Sequence, residues 1–162
     1  MKKRPKNILD KIGTLIPGFD GYATRDNQRK SDKLLRTNIA DTLKKVLGNI
    51  EQLMKVSIKK GLSDDLMEFE ESRKACSTIA ERINYAEYGA SALFDEEQIK
   101  EDELDEIYRM DEILLEKSNY LYLIVQQDHE SSFLMAAIRN QLKEIDSLFI
   151  ERSNYIRLKV KK

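Results

Sequence analysis

The sequence predicts an all-α protein: an antiparallel up-down bundle of three to four long helices behind a short N-terminal amphipathic segment. Three observations carry this. Apolar residues recur at helical spacing along most of the chain, with no strand-like alternation to compete. The 162 residues include only six glycines and two prolines, too few for many short elements. Both prolines, Pro5 and Pro17, precede Tyr22, so nothing later breaks a helix by losing its N–H. The expected division is residues 1–23 as amphipathic segment and turn, and 24–162 as the helical bundle domain.

Within the first segment Ile8, Ile12, Leu15 and Ile16 fall on one helical face, with Leu9 beside them. Pro17-Gly18 ends that run, and Gly18 and Gly21 bracket a turn carrying Phe19 and Tyr22. A long helix is expected from about Thr24 to Lys60. Its seam is Leu35, Ile39, Leu43, Val46, Ile50 and Leu53, close to a heptad repeat. Gly61 supplies a left-handed C-terminal cap. Ser63 is the expected N-cap of the next helix, with Leu62 and Met67 as a hydrophobic staple. That helix carries Phe69, Cys76, Ile79 and Ile83 inward and ends near Gly89. Asp95, with Gln98 three residues on, predicts the third start. Leu104, Ile107, Leu114, Leu121 and Ile124 continue its stripe. A break is expected between Asp128 and Ser132, followed by a fourth helix with Leu134, Ile138, Leu142, Ile145, Phe149 and Ile156 inward.

Charge is unevenly spread. Residues 1–60 hold 15 Lys/Arg against 6 Asp/Glu, and residues 61–162 hold 13 against 23. A basic face of this kind suits nucleic acid or anionic lipid, unless the basic and acidic helices pack together and their fields cancel. The second arrangement is preferred, because acids are interspersed even in the basic half. The run from Asp95 to Glu112 reads as a solvated acidic face.

Three segments echo one another at 35-residue intervals, namely 79–86, 114–121 and 149–156. Each carries a Glu-Arg/Lys pair and an Asn-Tyr pair: Glu81-Arg82 with Asn84-Tyr85, Glu116-Lys117 with Asn119-Tyr120, and Glu151-Arg152 with Asn154-Tyr155. The interval equals five heptads, so these are equivalent positions on successive helices. The expected pattern is a solvated Glu-Arg/Lys pair and a half-buried tyrosine. A duplicated partner surface is the sharper alternative.

Several chemistries are set aside. A di-iron bundle needs paired Glu-x-x-His motifs, whereas the single histidine, His129, has Gln126 three residues before it. His129 reads as a solvated loop residue. Zinc sites lack ligands, and neither a phosphate loop nor a nucleophile elbow is present. Cys76 sits among apolar positions and reads as a buried inert thiol. No catalytic residue, metal or cofactor is therefore expected, and the role expected is non-enzymatic.

The opening Ile16-Pro17-Gly18-Phe19-Asp20-Gly21-Tyr22, followed by Arg25, Arg29, Asp32 and Arg36, resembles a segment of uncharacterised prokaryotic helical-bundle proteins. A second block, Asn84-Tyr85-Ala86-Glu87-Tyr88-Gly89 with Ala92-Leu93-Phe94-Asp95, is similar to the same group. The resemblance implies a helical fold and no particular activity.

Function is therefore expected at a surface. The leading expectation is a cytoplasmic helical adaptor that binds another protein or a second copy of itself. Its candidate contacts are Phe19, Tyr22, Arg25, Arg29, Arg36, Tyr85 and Tyr88. The alternative is membrane association through Ile8, Leu9, Ile12, Leu15 and Ile16, whose competing use is docking on the bundle. Nucleic-acid binding through the basic first long helix ranks last, because that stretch lacks aromatics for base stacking. No run approaches the length of a membrane span, and Asp10 and Lys11 interrupt what would be the apolar core of a signal peptide.

Overall fold

A computed structural model describes residues 6–22, 25–86 and 100–160. They form five helices: α1 (Lys6–Leu15), α2 (Arg25–Lys60), α3 (Ser63–Asn84), α4 (Glu101–Gln126) and α5 (Ser131–Val160). Among the described residues there is no strand. α2 packs against α3 and α4, α5 against the same two neighbours, and α1 lies on α4. The four long helices therefore close a ring in the order α2, α3, α5, α4.

The seam read from the sequence is the core. Leu35, Ile39, Leu43, Val46 and Ile50 of α2 meet Phe69, Cys76, Ile79 and Ile83 of α3, and all are buried, while Leu53 at the end of the seam is half-buried against them. Leu104, Ile107, Leu114, Leu121 and Ile124 of α4 and Leu134, Ile138, Leu142, Ile145, Phe149 and Ile156 of α5 complete it. The break between α4 and α5 falls at residues 127–130, so these are two helices and not one rod.

α2 ends as its glycine requires. Gly61 has φ +69°, its N–H donates to Ile58 O at 3.1 Å, and the Leu62 N–H donates to Ser57 O at 3.0 Å. These two bonds satisfy carbonyls that a helix end leaves open. The start of α3 differs from expectation. The N-cap position is Leu62, with no side-chain cap bond, and Ser63 is the first helical residue. Asp64 and Asp65 still occupy the first turn, where the helix dipole favours them. Leu62 and Met67 are 43% and 68% exposed, so they do not form a buried staple. The expected Asp95 cap lies outside the described residues. α4 is described from Glu101, where the Lys100 N–H donates to the Glu103 carboxylate at 3.1 Å.

Basic and acidic elements are neighbours. Lys11 of α1 bonds Glu112 of α4 at 2.9 Å, and Lys45 of α2 lies 5.7 Å from the ring centre of Tyr122 on α4. Lys11 and Glu112 thus offset one basic charge of the first half of the sequence against one acid of the second.

Candidate functional site: a buried ionic cluster and an open groove

The turn after α1 fixes one corner of the molecule. Gly18 and Gly21 adopt φ +84° and +78°, which only glycine takes without strain. At Gly21 space is also short, since a Cβ would lie 2.5 Å from Tyr108 Oη. That hydroxyl is there to accept the Tyr22 N–H at 2.6 Å. Ser31 Oγ donates to Gly21 O at 2.8 Å, and Gln28 Nε2 donates to Tyr22 O at 3.0 Å. Side chains of α2 and α4 therefore satisfy the buried backbone of the turn. The Tyr22 ring stacks on Tyr108, with centroids 5.2 Å apart, and meets the Phe19 ring edge-on at 5.6 Å.

The Tyr22 hydroxyl points into an ionic cluster. It donates to Asp111 Oδ2 of α4 and accepts from Arg152 Nη2 of α5 at 3.1 Å. Arg152 Nε bonds Asp111 Oδ1 at 2.5 Å, while its Nη2 stands 2.9 Å from Asp32 Oδ1 of α2 as an ion pair. Asp32 Oδ2 accepts from Arg36 Nε at 2.8 Å, and Arg36 Nη1 reaches Asn84 O at the end of α3, at 2.9 Å. Arg152 and Asp111 are 0% exposed, Tyr22 1% and Asp32 2%. Two carboxylates and two guanidiniums leave the cluster formally neutral. One network thus joins the turn, α2, α3, α4 and α5.

Burial pushes the Asp111 carboxyl above the ordinary carboxylate range, against the opposing pull of Arg152. Burial also pushes the Tyr22 phenol well above its ordinary value, and the Asp111 charge adds to this. The same cause raises the Cys76 thiol to about 12, while its Sγ approaches Leu43 O at 3.3 Å. The phenol and the thiol hold their protons, and Asp111 accepts from Tyr22 and Arg152 with its two oxygens. The arrangement clamps the turn to the helices around it.

Three of these residues correct the sequence reading. Asp111 belongs to the run read as a solvated acidic face, yet it is fully buried. Arg152 belongs to the echo read as a solvated pair, and it too is fully buried. Arg36, a candidate partner contact, turns inward to Asp32 and Asn84. The signal that finds them is register. Asp111 sits on the seam Leu104, Ile107, Asp111, Leu114, Ser118, Leu121, and Arg152 on Leu142, Ile145, Phe149, Arg152, Ile156. The echo is not structurally equivalent either. The seam steps four residues from Ile79 to Ile83 and from Leu114 to Ser118, but three from Phe149 to Arg152.

The other candidate contacts divide. Phe19 and Tyr22 are core residues, Arg29 is exposed, and Tyr85 is 74% exposed rather than half-buried. The Arg25 side chain and Tyr88 lie outside the described residues. Of the proposed membrane face, Ile12 and Ile16 are buried, Ile8 and Leu9 pack against the core, and Leu15 is exposed. Leu15 and Ile12 edge a hollow of about 290 Å³ between α1 and α4.

No family model, curated protein or solved structure matches this chain.

A second feature faces solvent. Between α3 and α5 runs a groove of about 300 Å³, floored by Ser72, Ala75, Ile79 and Leu142. Its α3 wall carries Glu68 and Glu71, and its α5 wall carries Arg139 and Lys143, with Asp146 further along. Glu68 and Arg139 approach to 3.7 Å across it, and Arg82 pairs with Asp146. Among the described residues no helix is long and apolar enough to cross a membrane, and no group of three His, Cys, Asp or Glu is placed to hold a metal ion.

Proposed function

We propose that this chain is a non-enzymatic helical protein-interaction module whose working surface is the α3–α5 face. The observation that carries the reading is a division of labour among polar residues. Tyr22, Asp32, Asp111 and Arg152 are closed on one another inside the bundle, whereas the α3–α5 groove opens an apolar floor between charged walls. An apolar floor with a polar rim is the common anatomy of a protein contact. Membrane anchoring by residues 1–22 ranks below this reading, because the apolar face of α1 is largely spent on the bundle and Lys11 on Glu112.

The helices are proposed to run up, down, up, down. Supporting this, Leu43 meets Cys76 and Arg36 meets Asn84, so numbers rise on α2 as they fall on α3. Lys117 with Glu144 and Asp111 with Arg152 give the same opposition for α4 and α5. Glu68 with Arg139 and Arg82 with Asp146 rise together, which makes α3 and α5 same-direction neighbours.

The test compares the wild type with Ala75→Arg, which fills the groove at an exposed position, in cells expressing either chain and treated with a short cross-linker. A discrete cross-linked species is expected with the wild type and lost with Ala75→Arg, the helical circular dichroism being unchanged. The same species from both chains, or none from either, contradicts the reading.

A further inference from the structure

We infer that the occupant of the α3–α5 groove is a second copy of this chain, related by a two-fold axis parallel to the helices. The inference rests on the interaction-module reading above and names its partner.

The walls of the groove carry opposite charge, Glu68 and Glu71 on α3 against Arg139 and Lys143 on α5. Two-fold symmetry presents the same patch from both sides, so the patch must complement itself. An in-plane axis perpendicular to the helices sets α3 against α3, and where it crosses at the height of Glu68 and Glu71 it opposes them to their own copies. An axis parallel to the helices sets α3 against the other copy's α5. Rotation about that axis leaves height along the bundle unchanged. Glu68 is level with Arg139 in its own chain, at 3.7 Å, and so it is level with Arg139 of the partner subunit as well. This pair is about half exposed on both sides, so it is free to exchange partners at little cost. Acid then meets base twice, once on each side of the axis.

Apolar surface extends the groove at both ends. Met67, 68% exposed, lies one turn before Glu71, and Ile150, 44% exposed, lies one turn beyond Asp146. A stable interface buries about 600–1,000 Å² from each partner. The 22-residue α3 is about 33 Å long, and two packed helices make a face roughly 20 Å wide. The whole α3–α5 face, including Met67 and Ile150, is therefore the contact.

The experiment is sedimentation equilibrium of the full chain, carrying E68K/E71K or R139E/K143E, each alone and then mixed in equal amounts. The wild type is expected to dimerise. Each variant alone opposes like charges and weakens self-association at least about tenfold. The mixture restores opposite charge on both sides of the axis, so a heterodimer within a few-fold of wild-type affinity forms. Recovery in the mixture also shows that both variants are folded. A wild type that stays monomeric at about 0.5 mM, or variants that dimerise as the wild type does, overturns the inference. So does a mixture of folded variants that stays monomeric. If the wild type is monomeric yet gives a cross-link to another protein that Ala75→Arg abolishes, the second copy is wrong and the module reading stands. A monomer without any Ala75-dependent cross-link overturns both.

Discussion

Arg152 is buried among Asp111, Asp32 and Tyr22, and its worth to the fold depends on all of them. Ions taken out of water are costly, and mutual attraction offsets that cost only when the partners are complete. Removing one partner leaves an uncompensated charge inside. Asp111→Asn is therefore expected to lower the unfolding free energy by about 3–5 kcal/mol, measured by urea denaturation. Arg152→Met combined with Asp111→Leu should cost less than either change alone, because no lone charge remains. A double variant less stable than both single ones would contradict the clamp.

Cys76 gives a pH prediction. Its thiol is raised from the ordinary 9.0 to about 12 by burial, so the folded state holds this proton more tightly than the unfolded chain. The stability it contributes is fully present below pH 9 and is lost as pH rises toward 12. The raised Tyr22 phenol acts with the same sign. Thermal denaturation between pH 8 and 11 should show a falling midpoint, and Cys76→Ala should flatten the fall. An unchanged slope would contradict the burial argument.

At the scale of elements, the N-terminal turn is held by fit as much as by apolar contact. Gly21 occupies a backbone conformation closed to other residues, against the Tyr108 hydroxyl. Gly21→Ala is expected to cost more than about 1 kcal/mol. Adding Tyr108→Phe should recover part of the loss by removing the clashing oxygen, as a double-mutant cycle would register. Deleting residues 1–22 removes Ile12, Ile16, Phe19 and Tyr22 from the core and leaves Asp111 and Arg152 short of a partner. The loss should exceed about 3 kcal/mol.

The helices themselves were legible because apolar spacing is a property of the chain alone. Leu35, Ile39, Leu43, Val46 and Ile50 declare one face, and Gly61 declares its end. The cluster was not legible in the same way. A charged residue on a helix reads by default as solvated, and only the packing of α2, α4 and α5 brings Asp32, Asp111 and Arg152 together from 120 residues of sequence. Their trace in the sequence is their place in the seam, where a charge needs a partner to be tolerated. The groove was less legible still, since it exists only because α3 and α5, far apart in the chain, are neighbours.

At the scale of the whole molecule, a polar clamp fixes the corner where the turn and four helices converge, and the α3–α5 face is left for contact. The most direct measurement places a photoreactive benzophenone side chain at position 67, at the exposed end of the groove, or at position 33, on α2 away from it. Irradiated at micromolar concentration and resolved by mass, the chain labelled at position 67 is expected to give a cross-linked dimer. Peptide mapping should place its junction on α5 of the partner subunit, and the chain labelled at position 33 should give no cross-linked dimer. Equal cross-linking from both positions, or a junction that avoids α5, would contradict the account.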